Sequence, residues 1–318
     1  GLPLPEATLA ACYWADAVLL GAIGDPKYDQ NPNAKVRPEQ GLLGLRKALG
    51  VYANIRPVTA YEQLLEHSPL KPERISGSDI LMFRELTGGA YFGEKGRNEQ
   101  EAYDTCSYSR QEISRVAHLA FKAAGMRRNK LTLVDKANVL ETSRLWREVV
   151  QQIALEYPEV AVDYLYVDNA AMQLILNPRQ FDVILTENMF GDILSDEASV
   201  IGGSIGLLPS ASIGDNSGLF EPIHGSYPQA KGLGIANPIA AILSAAMLLE
   251  YLGLGEEAEC VRTAVEKAIN CSILTPELNK VSPYTTEQVG NYIAYMVLEN
   301  AEVEPHKSNI EIGLSTII

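Results

Sequence analysis

Two aspartates with helical spacing are the first residues in this sequence that could do chemistry. Asp192 and Asp196 lie four residues apart, so a helix would place both carboxylates on one face. Like charges at that spacing destabilise a helix unless something neutralises them, and Mg2+ and Mn2+ prefer such oxygen ligands. Asp168 follows a strand-like run and opens a helix-like run, which makes it a third candidate ligand. The alternative is a solvated helix start that Asp192 helps to cap.

Three arginines form the second group of candidates. Arg46, Arg56 and Arg84 lie near the ends of predicted elements, and the last two lie within or directly after apolar strand-like runs. A guanidinium beside a buried strand needs a partner, because an unpaired buried charge is costly. Each arginine could pair with an internal carboxylate, which is the commoner outcome. Three of them in an acidic protein also suit a pocket for a di- or tricarboxylate.

Lys136 and one polar loop complete the candidates. Lys136 ends a strand-like run, where partial desolvation would let it act as a base; a surface lysine at a strand exit is the simpler interpretation. No GxGxxG pattern follows a predicted strand, which argues against a Rossmann dinucleotide site. The polar loop Glu221–Ser226 could hold a nucleotide through backbone groups, but composition alone does not decide this.

The elements around these residues alternate between strand-like and helix-like runs. This alternation predicts an α/β protein with an at least partly parallel sheet, and mainly helices after Pro238. The predicted strands are Ala17–Leu20, Tyr52–Val58, Asp79–Phe83, Leu131–Val134, Val162–Val167 and Val183–Thr186. The predicted helices are Gln111–Ala124, Thr142–Tyr157, Asp192–Ile201, Pro238–Leu252, Glu256–Ile269 and Thr286–Glu299.

Length, composition and charge limit the function classes. A chain of 318 residues suggests about two domains. The hydrophobic content of 47% excludes global disorder, and the net charge of −14 argues against nucleic acid as the main partner. We expect no membrane segment and a cytoplasmic location, because neither an apolar span nor a signal-peptide pattern is visible. The four cysteines form no CxxC pair, which speaks against a zinc site or a disulfide scaffold.

Six ordered motifs resemble the β-decarboxylating dehydrogenases, a family that acts on isocitrate, tartrate and 3-isopropylmalate. The motifs are Arg84–Glu94, Val134–Leu140, Asn188–Asp196, Leu207–Ala211, Phe220–Ser226 and Gly234–Pro238. The resemblance implies a two-domain α/β fold of the isocitrate/isopropylmalate dehydrogenase type, with a mixed sheet and no Rossmann fold. Residues 1–50 and 204–318 would form a discontinuous cofactor-side domain, and residues 51–203 the substrate, metal and dimerisation domain. The family's first strand would precede Gly1.

The resemblance also implies a role for each group of residues. Three arginines would bind the substrate carboxylates: Arg46, Arg56 and Arg84. Tyr91 and Lys136 would be the catalytic pair, and Mg2+ or Mn2+ would be held by Asp168, Asp192 and Asp196. Lys136 and Asp168 would act in the site of the other subunit, so a homodimer with shared active sites is implied. NAD would bind through Glu221, His224, Gly225, Ser226, Gln229, Ala236 and Asn237.

Two further features refine the expected substrate and cofactor. The segment Glu39–Arg46 resembles the isopropylmalate signature of the family, which implies that Glu39 contacts the substrate. Leu42, Leu43 and Val139 would form an apolar wall for an isopropyl group, and Asp168 would also contact the substrate. A buried extra carboxylate, as in isocitrate, would be strongly unfavourable against leucine. Gln229 stands where NAD-using members carry Asp, so we expect weaker discrimination against NADP.

The expected reaction is the oxidative decarboxylation of (2R,3S)-3-isopropylmalate to 4-methyl-2-oxopentanoate and CO2, with reduction of NAD, in leucine biosynthesis. Two alternatives keep the same fold. One is a dehydrogenase of tartrate, D-malate or homoisocitrate. The other is a non-catalytic regulatory subunit.

Overall fold

The computed structural model describes residues 2–29 and 36–303. Its strands, in chain order, are β1 (Val18–Leu19), β2 (Ala53–Thr59), β3 (Asp79–Glu85), β4 (Lys95–Arg97), β5 (Ala102–Asp104), β6 (Lys130–Asp135), β7 (Ala161–Tyr166), β8 (Val183–Thr186), β9 (Pro209–Ile213) and β10 (Gly218–Pro222). Its α-helices are α1 (Glu6–Trp14), α2 (Pro26–Asp29), α3 (Glu39–Leu49), α4 (Pro72–Ile75), α5 (Arg110–Gly125), α6 (Glu141–Ala154), α7 (Val167–Leu176), α8 (Asn188–Ser199), α9 (Ile239–Tyr251), α10 (Gly255–Asn270) and α11 (Thr286–Val303).

The described residues form two compact units. The first unit combines the residues up to Val51 with those from Ser204 onward, and the second unit is Tyr52–Gly203. The first unit pairs β1 with β10 in parallel and β10 with β9 in antiparallel orientation. Helix α9 packs on β9 and β10, α10 packs on α9, and α11 packs on α10.

The second unit is built on a mixed sheet in which the strands follow the order β2, β3, β8, β6, β7. All neighbours from β3 onward are parallel, whereas β2 and β3 are antiparallel. The parallel strands therefore end at a common edge of the sheet. Helices α5 and α8 both pack against β3, and α5 also packs on α6 and α8 on α7.

One face of strands β2 and β3 contributes to a buried core that also contains residues of α7 and α8. This face is apolar at one end and polar at the other. Val58, Ile80 and Met82 belong to a cluster of buried residues that includes Leu174 of α7 and Leu194 of α8. Each such fully buried side chain contributes about 1.5–3 kcal/mol to folding. Side chains alternate along a strand, so the polar residues that continue the same face of the two strands are Asn54, Arg56 and Arg84.

A small antiparallel pair, β4 with β5, lies outside that sheet in the second unit. The helix that follows it, α5, begins with a capping box. The Ser109 hydroxyl accepts from the backbone N–H of Glu112, and the Glu112 carboxylate accepts from the backbone N–H of Ser109. These two bonds fix where α5 starts. None of the helices within the described ranges combines the length and the apolar composition needed to cross a membrane.

The α/β class and the mixed sheet are confirmed, and each predicted strand and helix has a counterpart. The predicted start of helix α8 at Asp192 was wrong. The helix begins at Asn188, because the Glu187 carboxylate caps it by accepting a hydrogen bond from the backbone N–H of Phe190. Asp192 therefore lies in the second turn and is not a capping residue. The predicted loop Glu221–Ser226 was also wrong at its start, since Glu221 belongs to β10.

Candidate active site

The predicted site residues of the second unit lie where its parallel strands end. Arg84 is the penultimate residue of β3, and Lys136 directly follows β6. Asp168 comes two residues after β7, and Asp192 is on the helix that follows β8. Ligand sites of α/β proteins form at this edge of a parallel sheet. Arg56 joins them from the antiparallel strand β2, where it faces Met82 of β3.

The Arg56 side chain is buried and all three of its guanidinium nitrogens have partners. Its Nε donates to Asn54 Oδ1 at 2.7 Å, and its Nη1 donates to Ser195 Oγ at 2.5 Å and to Asp196 Oδ1 at 3.1 Å. Its Nη2 lies 3.7 Å from Asp192 Oδ1. Arg56 thereby connects its own strand to the exposed carboxylates of α8.

Arg84 is similarly enclosed, with 5% of its surface exposed. Its Nε and Nη2 donate to Asn188 Oδ1 at 3.0 and 2.9 Å, and its Nη1 donates to Asp192 Oδ1. The other oxygen of Asp192 accepts from the Tyr91 hydroxyl at 2.9 Å. The Arg84 guanidinium lies 5.8 Å from the centre of the Tyr91 ring. Two buried arginines and the predicted catalytic tyrosine thus converge on one aspartate.

The aspartates themselves stay open to solvent. The Asp192 side chain is 35% exposed and the Asp196 side chain 63% exposed, and they lie one helical turn apart. Mg2+ is commonly held by one or two carboxylates together with water and substrate oxygens, so this pair fits such an ion. Among residues 2–29 and 36–303, no three His, Cys, Asp or Glu side chains are close enough to form a complete metal group. An ion bound here would need further ligands from outside that set.

The turn that leads to Tyr91 is held by a buried tyrosine. Gly89 has a φ of +75°, and a Cβ on Gly88 would lie 2.6 Å from the Tyr108 ring. The Tyr108 hydroxyl donates to Glu187 Oε2 at 2.9 Å and accepts from the Asn188 backbone N–H at 3.0 Å. Burial, together with the charge of Glu187, raises the pKa of Tyr108, so it remains a neutral donor. The two glycines therefore allow a close approach that larger residues would prevent.

The Tyr91 hydroxyl is suited to give a proton rather than to accept one. Burial raises its pKa, and the hydrogen bond to Asp192 and the negative charge of that carboxylate raise it further. Tyr91 is therefore protonated at neutral pH. Tyr91 is 39% exposed, so a bound molecule can reach it.

Lys136 and Asp168 form a second charged pair. Lys136 Nζ lies 2.8 Å from Asp168 Oδ1, and this hydrogen bond lowers the pKa of Asp168. The backbone around Lys136 is fixed on both sides. Its own N–H donates to Ser143 Oγ at 3.0 Å, and the N–H of the next residue donates to the buried Asp135 carboxylate at 2.9 Å. Asp135 in turn binds Arg147, whose guanidinium lies over the Tyr164 and Tyr166 rings.

The predicted substrate residues of the first unit lie on α3. Arg46 Nη2 binds Glu221 Oε1 at 2.5 Å, so this arginine has the internal carboxylate partner that the sequence left open. Leu42 is half-buried, whereas Leu43 and Glu39 are exposed. In the second unit, Val139 is exposed.

Glu221 lies in β10, and the other predicted cofactor residues of the first unit follow this strand and precede α9. Ser226 Oγ donates to the backbone oxygen of Gly24, and Asn237 Nδ2 donates to Glu277 Oε1 at 2.8 Å. The backbone oxygen of Ala236 accepts from Thr286 Oγ1. The remaining predicted residues of this stretch are half-buried His224 and exposed Gly225 and Gln229.

Three residues that contact the arginines were missed by the sequence analysis: Asn54, Asn188 and Ser195. Asn54 could have been found, because a strand places it on the same face as Arg56, two residues later. Asn188 had no such signal, since it meets Arg84 from 104 positions away. Ser195 directly precedes Asp196, and nothing in the sequence indicates that its side chain is buried against Arg56.

Comparison with known proteins gives consistent similarities. A family model described as isocitrate/isopropylmalate dehydrogenase matches residues 1–293. The chain is 55% identical to the 3-isopropylmalate dehydrogenase of Bacteroides fragilis, over 92% of this chain and 84% of that protein. It is 58% identical to the 3-isopropylmalate dehydrogenase of Clostridium acetobutylicum, over 87% of this chain and 80% of that one. The crystal structure of isocitrate dehydrogenase from Methylococcus capsulatus matches with a TM-score of 0.82 and 36% identity, covering 93% of this chain and 85% of that one.

A helical glycine behind Arg84 gives a test of the cluster's packing. A Cβ at Gly191 would lie 2.7 Å from Arg84 Cγ and 2.8 Å from Arg84 Cβ, whereas a Cβ at Gly290 of α11 would meet open space. Alanine stabilises a helix interior by about 1 kcal/mol relative to glycine. We expect Gly290→Ala to raise the free energy of unfolding, and Gly191→Ala to lower it by about 1–3 kcal/mol because Arg84 must shift. Urea denaturation measures both, and an equal gain in the two variants would contradict the packing at Arg84.

Proposed function

This chain belongs to the isocitrate/isopropylmalate dehydrogenase family, and on that premise we propose that it oxidatively decarboxylates (2R,3S)-3-isopropylmalate. The products are 4-methyl-2-oxopentanoate and CO2, in the pathway of leucine biosynthesis, and NAD takes up the hydride. The geometry that supports this function is the convergence of Arg56, Arg84 and Tyr91 on Asp192.

The arginines supply the binding energy for a malate-type diacid. Arg56 and Arg84 are buried and held in place by neighbouring side chains, so their orientation is set before a ligand arrives. A fixed guanidinium binds a carboxylate through two parallel hydrogen bonds, which gives both affinity and orientation. Arg46 of the first unit is the third proposed carboxylate ligand, with Asp168 and Glu39 as further substrate contacts. Leu42, Leu43 and Val139 would receive the isopropyl group.

Asp192 and Asp196 are the proposed ligands of Mg2+ or Mn2+, completed by Asp168 of the other subunit. Such an ion would polarise the substrate oxygen and stabilise the negative charge that develops as CO2 leaves. Asp196 already accepts a hydrogen bond from Arg56, and Asp192 accepts one from Arg84, so the positive and negative groups of the site are adjacent before any ligand is present.

Two residues of the chain move protons. Lys136, in its deprotonated form, would accept the proton of the substrate's C2 hydroxyl, directly or through water, as the C2 hydrogen leaves as hydride to NAD. Tyr91 would then donate a proton to the carbon from which CO2 has left. The raised pKa of Tyr91 means that the phenol is protonated at neutral pH and so carries the proton that this step requires.

The homodimer and the cofactor residues belong to the same proposal. Each subunit would contribute its Lys136 and Asp168 to the other's site. NAD would bind to the first unit through Glu221, His224, Gly225, Ser226, Gln229, Ala236 and Asn237, with residues 1–50 and 204–318 as the cofactor-side domain. The neutral amide of Gln229 would reduce discrimination against NADP. We propose that this reaction takes place in the cytoplasm.

The substrate is tested by direct comparison. We expect 3-isopropylmalate to be oxidised with the highest kcat/KM among 3-isopropylmalate, D-malate and homoisocitrate, because the proposed wall near the substrate is apolar. One missing or added apolar group changes kcat/KM by about 10–200-fold. NADH absorbance follows each reaction. A preference for D-malate would overturn the substrate assignment, and no turnover of any of the three would indicate a non-catalytic protein.

The role of Lys136 can be separated from a general loss of positive charge. Lys130 is the first residue of β6, the strand that Lys136 directly follows. Its Nζ makes a partly exposed ion pair with Asp163 at 3.0 Å, and it serves as the matched control. We expect Lys136→Ala to lower kcat by about 10²–10⁴-fold, the usual contribution of a general base, while Lys130→Ala stays close to the native rate. Calorimetric titration with 3-isopropylmalate should show substrate binding retained in both. A native kcat in Lys136→Ala would refute its role.

Shared active sites predict complementation between inactive chains. Lys136→Ala and Asp192→Asn should each be inactive alone. In a hybrid dimer one site would receive an intact Lys136 from one subunit and an intact Asp192 from the other. Random exchange of equal amounts should therefore restore about one quarter of the native activity. Subunits are exchanged under mild denaturant and assayed after refolding, and a mixture that stays inactive while hybrids form would exclude sharing.

A further inference from the structure

Both buried arginines of the site are held on the same edge by an asparagine. Asn54 Oδ1 accepts from Arg56 Nε at 2.7 Å. Asn188 Oδ1 accepts from Arg84 Nε at 3.0 Å and from Arg84 Nη2 at 2.9 Å. Asn54 is 0% exposed and Asn188 is 1% exposed. The two contacts come from different elements, β2 and the first residue of α8, yet they use the same chemistry.

A neutral acceptor orients a guanidinium without cancelling its charge. A carboxylate at the same place would form an ion pair with the guanidinium and would neutralise much of its positive potential. The cluster already contains two carboxylates, Asp192 and Asp196, which match the two arginine charges. Any further negative charge would make the site anionic and would oppose a dianionic ligand.

Asn188 also has a requirement that only an amide can meet. Its oxygen faces the donors of Arg84, while its Nδ2 donates to the backbone oxygen of Gly88 at 3.1 Å. An aspartate would present an oxygen to that carbonyl, and a leucine would leave both neighbours without this partner. The same amide therefore links the position of Arg84 to the glycine turn that leads to Tyr91.

We propose that Asn54 and Asn188 are positioning residues for the diacid, each fixing the Nε edge of a carboxylate-binding arginine through a neutral oxygen, so that no negative charge beyond Asp192 and Asp196 opposes the substrate. This inference rests on the proposed function for the identity of the ligand. It concerns the orientation and charge of Arg56 and Arg84, and neither asparagine is assigned a chemical step.

The test replaces each amide by a carboxylate of the same shape. We expect Asn54→Asp and Asn188→Asp each to weaken binding of 3-isopropylmalate by about tenfold or more, because the added negative charge forms an ion pair with the arginine and opposes the dianionic ligand. Binding is measured by calorimetric titration in the presence of Mg2+. In steady-state assays the loss should fall on the KM for the diacid more than on kcat.

The matched control is Thr186→Val, which removes another buried hydrogen bond of the second unit. Thr186 is fully buried, and its hydroxyl donates to the backbone oxygen of Val134 at 2.9 Å. We expect this variant to lose thermal stability but to bind the diacid as the native chain does. Native affinity in both folded aspartate variants would overturn the proposal, as would an equal loss of affinity in the control.

Two additional measurements keep the outcome decisive. If the aspartate variants do not fold, arginine side-chain NMR of the native chain decides: the Nε–H protons of Arg56 and Arg84 should exchange slowly with solvent, and fast exchange would overturn the proposal. Titrations are repeated with D-malate, which carries the same two carboxylates. If native turnover favours D-malate, the proposed substrate fails, while the effect of the asparagines is still measured on that ligand.

Discussion

The structure of the candidate site depends on two guanidinium groups that are buried at the end of a β-sheet. A charge removed from water in this way is stable only with partners, and here the partners are two aspartates on the adjoining helix and two buried asparagines. The position of α8 follows from this requirement. The helix begins directly after β8, is capped by Glu187, and presents its second and third turns to Arg84 and Arg56. Gly191 lets the helix approach the Arg84 side chain closely enough for that contact.

The same arrangement connects the proposed substrate-binding arginines to the proposed proton donor. Asp192 receives Arg84 on one oxygen and the Tyr91 hydroxyl on the other, so a change in the charge of this carboxylate is felt by both groups. Tyr91 is also positioned through the backbone. The two preceding glycines pack closely against Tyr108, and Asn188 Nδ2 donates a hydrogen bond to the backbone oxygen of Gly88. Lys136 is fixed separately, by Ser143 and by the Asp135–Arg147 pair. The proposed base and the proposed acid therefore sit on independently supported segments.

Much of this could be predicted from sequence, because strands with apolar runs and helices with apolar faces have distinct periodicities. Ile113, Val116 and Ala117 mark α5 in this way, and Val183–Thr186 is a strand with the predicted bounds. The strands β9 and β10 gave no such signal, because Pro209, Gly218 and Pro222 are typical of loops and their burial is decided by tertiary contacts. The arginines and aspartates were recognisable as charged groups beside buried elements. Asn188 was not, because its role depends on a partner that only the folded chain brings near.

The pairing of β2 with β3 has a consequence for how this protein can vary. Asn54 lies opposite Arg84 and Arg56 lies opposite Met82, so one face of the strand pair carries the guanidinium groups. Inserting or deleting one residue ahead of Arg56 in β2 or ahead of Arg84 in β3 would turn every following side chain to the other face and would direct an arginine into hydrocarbon surroundings. Substitutions within these strands can be absorbed by local repacking, whereas a change in their length cannot. Any evolutionary or engineered diversification of this enzyme is thus confined to altering residues at constant strand length, with insertions restricted to the connecting loops.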